Sequence, residues 1–477
     1  MKLNQLTHIY FLGIGGIGMS ALARFFRASG KVVAGYDKTP SALTDELISE
    51  GIQIHFEENV SLIPNDFLNV KDKEKMLVVW TPAVPKDHAE LVWFVENNFT
   101  LMKRAQVLGL ITGESNTIAI AGTHGKTTTT TLTAHLLKTA GMDCSAFLGG
   151  ISQNYQTNLL LGKNLGKENV PLEENIVVAE ADEYDRSFLW LHPSIAVVTS
   201  VDADHLDIYG DNEAMLDTYR QFVKQVSKKI VTKKSVAEIL GIEKDHRVIS
   251  YSLEDKATDS FAENIRVENG YYVFDLTLDK AKISNLKLGL PGRHNVENAV
   301  AAASAAKQIG VNDEAIRKGL SSFLGVKRRF DFRVRSPQVV YIDDYGHHPA
   351  ELKACISSVK ELFPGKKVTG IFQPHLYSRT RDFADEFAKS LDLLDDVVLL
   401  EIYPAREKPI EGINSSMLLE KITAKRKALY SKNEVVGKVL KHEFDVLLTM
   451  GAGDIDQFIA PLQKGLKEKF NLKEELS

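Results

Sequence analysis

The sequence predicts an α/β protein whose 477 residues form three domains around mostly parallel sheets. Three observations predict this class. Short apolar runs alternate with helical patterns along the chain, as in sheets covered by helices on both faces. Two of these runs lead through a glycine-containing turn into a helix. Several others end in charged or imidazole side chains, at the edge where open α/β sheets bind ligands. We place the domains at residues 1–113, 114–324 and 325–477.

The composition is that of an ordinary globular protein, with 44% hydrophobic residues, 25% charged residues and a formal net charge of −5. This mild acidity gives no support to nucleic-acid binding, which needs a basic surface. No segment approaches the ~18 apolar residues that span a bilayer, and no secretory signal is evident. Cys144 and Cys355 lie far apart, without metal-ligand spacing. We therefore expect packed thiols in a cytoplasmic protein with no nucleic-acid or membrane partner.

The first domain begins with a glycine loop between a strand and a helix. The strand His8–Leu12 is followed by Gly13-Ile-Gly-Gly-Ile-Gly18 and a helix that Gly30 ends, and Asp37 follows the next strand, Val32–Tyr36. This G-x-G-x-x-G pattern with a later acid is typical of a Rossmann-like unit that binds a dinucleotide. Its geometry places a diphosphate at the helix N-terminus, and a nucleotide sugar also carries one. Alternatively, the glycines serve only close helix–strand packing.

The second domain begins with a phosphate loop. The apolar strand Ile118–Ala121 leads through Gly122-Thr-His-Gly125 into a helix that starts with Lys126 and Thr127. Backbone N–H groups, the helix dipole and the lysine together bind phosphate, and the threonine hydroxyl can reach Mg²⁺. The loop departs from G-x-x-x-x-G-K-[ST], which would require glycine where Ile120 stands. The surrounding strand and helix nevertheless predict a P-loop ATPase domain.

Acidic clusters follow two further strands of this domain. The strand 176–180 ends at Glu180, with Asp182 and Glu183 behind it, and His205 lies among three aspartates after the strand 195–201. Mg²⁺ takes one or two carboxylates plus phosphate oxygens, so we expect Glu180 to bind it. His205 is a candidate ligand for a second cation. The alternative for each cluster is a solvated polar turn.

Polar side chains also mark the end of the second domain and the whole of the third. Asn295 and Asn298 lie near the start of a helix, where either capping or recognition of a base edge is possible. Arg329 opens the third domain, and a guanidinium suits a transferring phosphoryl group. The segments 343–349 and 373–381 each follow an apolar strand. The third domain is accordingly predicted to be a second Rossmann-like fold.

Taken together, these motifs resemble the Mur ligase family. The resemblance rests on Gly122-Thr-His-Gly-Lys-Thr-Thr128, Glu180-Ala-Asp-Glu183, Asp204-His205 and Arg293-His-Asn-Val-Glu-Asn298. Asp343-Asp-Tyr-Gly-His-His-Pro-Ala-Glu351 and Gln373-Pro-His-Leu-Tyr-Ser-Arg-Thr-Arg-Asp382 resemble the branch that adds the first amino acid of the peptidoglycan stem. The motifs extend from Gly13 to Gly453 and so cover nearly the whole chain.

The resemblance implies ATP-dependent ligation of L-alanine to the lactyl carboxylate of UDP-N-acetylmuramate through an acyl phosphate. It implies Mg²⁺, with Mn²⁺ as an alternative, and a monomer or weak homodimer. The catalytic residues would be Lys126, Glu180, His205 and Arg329, with Thr127, Glu180 and His205 as metal ligands. ATP would contact Gly122, Thr123, His124, Gly125, Lys126, Thr127, Thr128, Asn295, Asn298 and Asp344. The other substrates would contact Gly15, Gly16, Ile17, Gly18, Asp37, Arg104, His347, His348, His375 and Arg379.

Three other functions remain open at this point. A ligase that reattaches recycled murein tripeptide shares the His-His-Pro motif at 347–349. An NAD-dependent oxidoreductase would explain the first glycine loop and Asp37, but would leave Lys126 and Glu180 without a role. A nucleotide-gated regulator would use ATP only to change conformation. Phosphate release that depends on an amino acid distinguishes the ligases from the last two.

Overall fold

The computed structural model describes residues 3–164, 174–202, 206–405 and 407–472, and contains three sheets of five, ten and six strands. The chain divides into two compact units. The first unit comprises residues 1–263, 275–284 and 298–323, and the second comprises 264–274, 285–297 and 324–477. None of the described helices is long and apolar enough to cross a membrane.

The first sheet is parallel throughout and has the order β3-β2-β1-β4-β5. Its strands are β1 (His8–Leu12), β2 (Val32–Tyr36), β3 (Gln53–His55), β4 (Met76–Trp80) and β5 (Thr100–Lys103). Its helices are α1 (Ile17–Ala28), α2 (Ala42–Ser49), α3 (Asn65–Leu68), α4 (Ala89–Glu96) and α5 (Arg104–Gly113). The strand order reverses beside β1, so the glycine loop that follows β1 lies at the switch point where such sheets bind ligands.

The second sheet has ten strands in the order β15-β14-β13-β12-β11-β10-β6-β9-β7-β8. They are β6 (Asn116–Ala121), β7 (Cys144–Ser152), β8 (Thr157–Leu160), β9 (Ile176–Glu180), β10 (Ile195–Val198), β11 (Lys229–Lys233), β12 (Val248–Ser252), β13 (Ser260–Glu268), β14 (Tyr271–Leu278) and β15 (Ala281–Leu288). The helices are α6 (Lys126–Thr139), α7 (Leu206–Tyr209), α8 (Asn212–Lys224), α9 (Lys234–Leu240), α10 (Arg293–Gln308) and α11 (Asp313–Ser322). Strands β6 and β9 are parallel neighbours with Ile120 opposite Glu180, which brings the phosphate loop beside that carboxylate.

The third sheet has the order β16-β17-β21-β18-β19-β20, and only the edge strand β16 is antiparallel. Its strands are β16 (Asp331–Arg335), β17 (Val340–Asp344), β18 (Val368–Phe372), β19 (Asp396–Leu399), β20 (Arg426–Leu429) and β21 (Val446–Met450). The helices are α12 (Pro349–Leu362), α13 (Tyr377–Asp382), α14 (Ala384–Leu391), α15 (Ser415–Lys421), α16 (Val435–Val439) and α17 (Ile459–Lys469). Because β17 and β18 both flank β21, the segments that follow them meet at one edge.

The predicted fold class is confirmed, whereas the domain boundaries at 113 and 324 stay predictions. The first helix begins at Ile17, inside the glycine loop, and its C-cap residue Ser29 directly precedes Gly30. Strands β12 to β15 contain few of the purely apolar runs that predict the other strands. In β15, buried and exposed residues alternate irregularly. Cys144 and Cys355 are both buried and free, as expected.

Candidate functional site

The phosphate loop has the geometry that its glycines require. Gly122 has a φ of +132° and Gly125 one of +80°, values that favour glycine. A Cβ at Gly122 would lie 2.1 Å from Thr199 Oγ1, and one at Gly125 would lie 2.5 Å from Asn298 Oδ1. The loop therefore accepts only glycine at these two positions, although its first glycine does not stand at position 120.

Thr123 and His124 of the loop are hydrogen-bonded to Ser200, which follows the neighbouring strand β10. The Thr123 hydroxyl lies 2.8 Å from Ser200 Oγ, which also accepts the His124 N–H at 2.9 Å. Thr127 and Thr128 are buried in the first turn of α6. The predicted ATP-binding segment is thus a single ordered turn between β6 and α6.

Lys126 is largely but not fully buried, with 15% of its side chain exposed, and it is hydrogen-bonded within this turn. Its Nζ donates to Gly122 O at 2.6 Å and to Glu183 Oε1 at 2.8 Å. Burial acts to lower the pKa of Lys126, but the nearby carboxylates of Glu183, Glu180 and Asp182 outweigh it and raise this pKa. The amine is therefore a full positive charge beside the loop, as binding a phosphate demands.

Glu180 ends β9 and packs against a glycine of β7. A Cβ at Gly149 would lie only 2.0 Å from Glu180 Oε2, so the missing side chain leaves the space that the carboxylate occupies. The described residues contain no cluster of three or more acidic, histidine or cysteine side chains for a metal ion. Mg²⁺ needs no such cluster when phosphate and water complete its shell, so the Thr127 hydroxyl and Glu180 suit it. The predicted ligand His205 lies outside the described residues.

A cavity of about 530 Å³ lies wholly within the first unit. Its walls extend from the glycine loop to the acidic segment after β9. They include Gly13, Gly16, Ile17, Gly18, Tyr36, Asp37, His88, Arg104, Glu180 and Asp182. Arg104 Nη2 lies 3.0 Å from Asp182 Oδ2, and a Cβ at Gly18 would lie 2.7 Å from Arg104 Nη1. A guanidinium is therefore placed at the N-terminus of α1, where an anion would bind.

Asp37 has a structural contact that the dinucleotide pattern did not indicate. Its Oδ2 accepts the Gly15 N–H at 2.7 Å, and its Oδ1 accepts the Thr39 N–H at 3.1 Å. The carboxylate therefore holds the glycine loop in place while also lining the cavity. The N–H groups of Gly13, Ile14 and Gly16 also donate to backbone carbonyl oxygens, so an anion here would meet the first N–H groups of helix α1.

In the second unit, Asp344 is a buried anchor at the end of β17. Its oxygens accept the N–H groups of Phe330 and Gly346, both at 2.8 Å. Burial raises the pKa of Asp344 to about 6, and the positive charge of Arg329 opposes this shift. The Arg329 guanidinium lies 4.9 Å from the centre of the Tyr345 ring. Arg329 and Asp344, both predicted site residues, are thus neighbours.

The predicted histidines of the second unit divide into two groups. The rings of His347 and His375 lie 5.8 Å apart, and burial lowers the pKa of His347 to about 4, although Glu351 opposes the shift. His347 is therefore neutral near pH 7. His348 instead caps α12, because its Nδ1 accepts the Ala350 N–H at 3.4 Å.

The bounds of helix α10 exclude capping, one of the two alternatives for Asn295 and Asn298. Helix α10 begins at Arg293, so Asn295 and Asn298 lie inside it and neither caps it. Asn295 Nδ2 instead donates to the carbonyl oxygen of Pro291 at 2.7 Å. Arg379, a predicted substrate-binding residue, is buried in the short helix α13.

From the sequence we did not predict the role of Gly149, of Glu183 as the partner of Lys126, or of His88 in the wall of the cavity. The Gly149-Gly150 pair at the end of an apolar run was the available signal, because glycine in a strand marks close approach of another group. The roles that we gave to the individual binding residues stay predictions.

Comparison with family models gives three matches along the chain. The model described as "Mur ligase family, catalytic domain" matches residues 8–115. The "Mur ligase middle domain" matches 120–306, and the "Mur ligase, glutamate ligase domain" matches 328–453.

Whole-length relatives agree with these matches. The UDP-N-acetylmuramate–L-alanine ligase of Flavobacterium psychrophilum is 50% identical over 98% of this chain and 100% of its own length. That of Parabacteroides distasonis is 49% identical over 97% of this chain and 98% of its own length. The crystal structure of the UDP-N-acetylmuramate–alanine ligase of Thermotoga maritima has a TM-score of 0.78 at 27% identity, over 98% of this chain and 100% of that one. A murein peptide ligase from Psychrobacter arcticus shares the fold, with a TM-score of 0.68 at 23% identity over 98% of this chain and 100% of that one.

Proposed function

The chain belongs to the Mur ligase family, and we propose that it joins L-alanine to the lactyl carboxylate of UDP-N-acetylmuramate while ATP is converted to ADP and phosphate. One observation carries this proposal beyond the likeness to its relatives. A single cavity extends from the glycine loop after β1 to Glu180, the residue opposite the phosphate-loop strand. A long substrate that binds by a diphosphate at one end can thus present a carboxylate to ATP at the other.

The first domain would bind the sugar nucleotide by its diphosphate. The N-terminus of α1 supplies N–H groups and partial positive charge, and Arg104 supplies a full charge beside Gly18. Asp37 fixes the loop through the Gly15 N–H. The apolar part of the wall, which includes Leu22, Val84 and Phe147, would accommodate the rest of the ligand.

The reaction needs activation because a carboxylate is a poor electrophile. An oxygen of the lactyl carboxylate attacks the γ-phosphorus, the bond to the β-phosphate oxygen breaks, and ADP leaves. The amine of L-alanine then attacks the acyl carbon, loses a proton, and displaces phosphate. Lys126 would neutralise charge on the phosphoryl group during its transfer, and Arg329 is the second candidate for this role.

The cation is assigned to Thr127 and Glu180, with His205 as the predicted ligand of a second ion. When bound, Mg²⁺ neutralises charge on the phosphate oxygens. In the second unit, Asp344 and Asn295 are assigned to adenosine, as is Asn298 in the first unit. His347, His375 and Arg379 are assigned to the amino acid and the substrate diphosphate.

Phosphate release from ATP tests this function. We expect release only when UDP-N-acetylmuramate and L-alanine are both present, and at least a 100-fold lower rate for Lys126→Ala, since about 3 kcal/mol or more of transition-state stabilisation is lost. Circular dichroism of the variant checks that it folds.

Each other outcome has a distinct meaning. Release that requires the L-Ala-D-Glu-diaminopimelate tripeptide instead of alanine would assign the chain to the recycling branch. Release that is indifferent to both acceptors would contradict a ligase and favour a nucleotide-gated regulator.

A further inference from the structure

Glu183 has no part in the proposed chemistry, although it lies buried beside the phosphate loop. Its exposed fraction is 1%, and Oε1 accepts a hydrogen bond from Lys126 Nζ at 2.8 Å. Within the described part of the chain, its Oε2 has no hydrogen-bond partner. A buried carboxylate is unfavourable unless it is paired, so a residue of this kind needs a reason to be there.

The backbone around Glu183 is held firmly. The carbonyl oxygen of Glu183 accepts the hydroxyl of Tyr209 at 2.5 Å and the N–H of Arg186 at 3.0 Å. Asp185 and Arg186 both have a left-handed conformation, with φ of +53° and +54°. Such a conformation is unfavourable for these residues and persists only where the surroundings fix it. The carboxylate of Glu183 is therefore presented from a rigid segment.

Lys126, in contrast, is intrinsically flexible. Its ammonium is a point charge on a four-carbon stem with three donors and many rotamers. The carbonyl oxygen of Gly122 and Oε1 of Glu183 take two of these donors, and Thr123 O lies at 3.4 Å. Of these acceptors, only Glu183 carries a charge, and it lies on a different segment from the loop.

We propose that Glu183 is a positioning residue, which holds the ammonium of Lys126 over the phosphate loop and thereby sets the rate of phosphoryl transfer. The proposal rests on the proposed function of this loop as the ATP site. Glu183 acts through Lys126 and contacts no reacting atom. Glutamine at this position keeps the size and one acceptor but removes the charge, so the lysine is no longer held in one rotamer.

The first test is the turnover of Glu183→Gln. We expect kcat to fall about 10- to 100-fold, the range for a displacement of roughly 1 Å in a catalytic group. Glu183→Asp, which restores the charge, should recover part of the loss. The matched control is Asp185→Asn, which removes a carboxylate from the same segment. Asp185 pairs with Lys103 at 2.7 Å, and both side chains are 39% exposed, so kcat should stay within about threefold.

The second test is a double-mutant cycle with Lys126→Ala. Because there is then no lysine to position, Glu183→Gln should cause no further loss of kcat in that background. A further loss of the same size as in the wild-type background would overturn the proposal. So would an unchanged kcat in Glu183→Gln itself.

ATP binding measured by calorimetry gives a readout that needs no acceptor substrate. Without Lys126, the Glu183 carboxylate repels the phosphates, so Glu183→Gln should tighten ATP binding at least about threefold. With Lys126 present, it should leave binding unchanged or weaker. Equal effects in the two backgrounds would overturn the proposal. A wild type that binds ATP but releases no phosphate with the two substrates would contradict the proposed function alone.

Discussion

At the residue scale, several ionisable side chains are shielded from solvent and have specific hydrogen-bond partners. Lys126 is largely buried and Asp344 is buried, and each has a specific hydrogen-bond partner. A third buried group lies near the wall of the cavity. Glu90 is fully buried, and its Oε2 accepts the Tyr10 hydroxyl at 2.7 Å. The Tyr10 hydroxyl also lies 2.8 Å from His55 Nε2.

Glu90 gives a prediction for the pH dependence of stability. Burial raises the pKa of Glu90 to about 7, while hydrogen bonds from Tyr10 and Asn59 oppose the shift. The folded state thus holds this proton more tightly than the unfolded state does. The stabilisation of the folded state by this proton is fully present below the pKa that Glu90 has in the unfolded chain. It is lost as the pH rises through about 7.

The substitution Glu90→Gln removes this titration and keeps an acceptor for Tyr10. Relative to wild type, its free energy of unfolding should therefore rise between about pH 5 and about pH 8, by roughly 2–3 kcal/mol. Urea unfolding of both proteins across this range measures the difference. A difference that does not change with pH would show that Glu90 does not titrate in this way.

At the element scale, neighbouring parallel strands bring functional groups together at their carboxyl ends. Strands β6 and β9 are adjacent, so the phosphate loop and Glu180 meet without any further device. Strand β7 lies on the other side of β9, and its glycine provides the space for the carboxylate. Replacing Gly149 by a residue with a side chain therefore tests how much the position of Glu180 matters for the reaction.

We expect Gly149→Ala to lower kcat about tenfold or more, because the new Cβ would lie 2.0 Å from Glu180 Oε2 and displace it. The backbone at Gly149 is not in the left-handed region, so the effect is steric. Gly437→Ala is the matched control, since a Cβ there meets no atom of the described residues within 4 Å. It lies in α16, where alanine favours the helix. Steady-state phosphate release measures kcat of both variants. Equal activity would show that the space at Gly149 does not help to place Glu180.

At the scale of the whole molecule, the first sheet and strands β6 to β12 of the second sheet belong to one compact unit. The rings of Phe25 on α1 and Phe147 on β7 lie 5.9 Å apart in a shared apolar core. Asn158 of β8 is fully buried and donates to the Ile17 carbonyl oxygen at 2.6 Å. Arg24 in turn donates to Asn158 Oδ1 at 2.6 Å. The described residues of the cavity wall all belong to this unit.

Since every residue of the cavity wall comes from the first unit, UDP-N-acetylmuramate should bind in the absence of ATP and alanine. Arg104→Ala should weaken this binding at least about tenfold, because a charge-assisted hydrogen bond to phosphate contributes roughly 1.5–3 kcal/mol. Arg220→Ala, which removes a partly exposed guanidinium paired with Glu213 and Asp217, is the control. Calorimetry with the sugar nucleotide measures both. Equal affinity of the two variants would place the diphosphate elsewhere.

The sequence by itself determined the fold class, the phosphate loop and the position of Glu180 at the end of a buried strand. Each depends on a local pattern: the alternation of strands and helices, a glycine turn before a helix, or an acid after an apolar run. Only the tertiary structure decided which groups these residues contact. Lys126 and Glu183 are 57 residues apart, and Asp37 turned out to hold the Gly15 N–H. Such pairs depend on strand order and on packing between sheets, which bring distant segments within hydrogen-bond distance and leave no periodic signal in the chain.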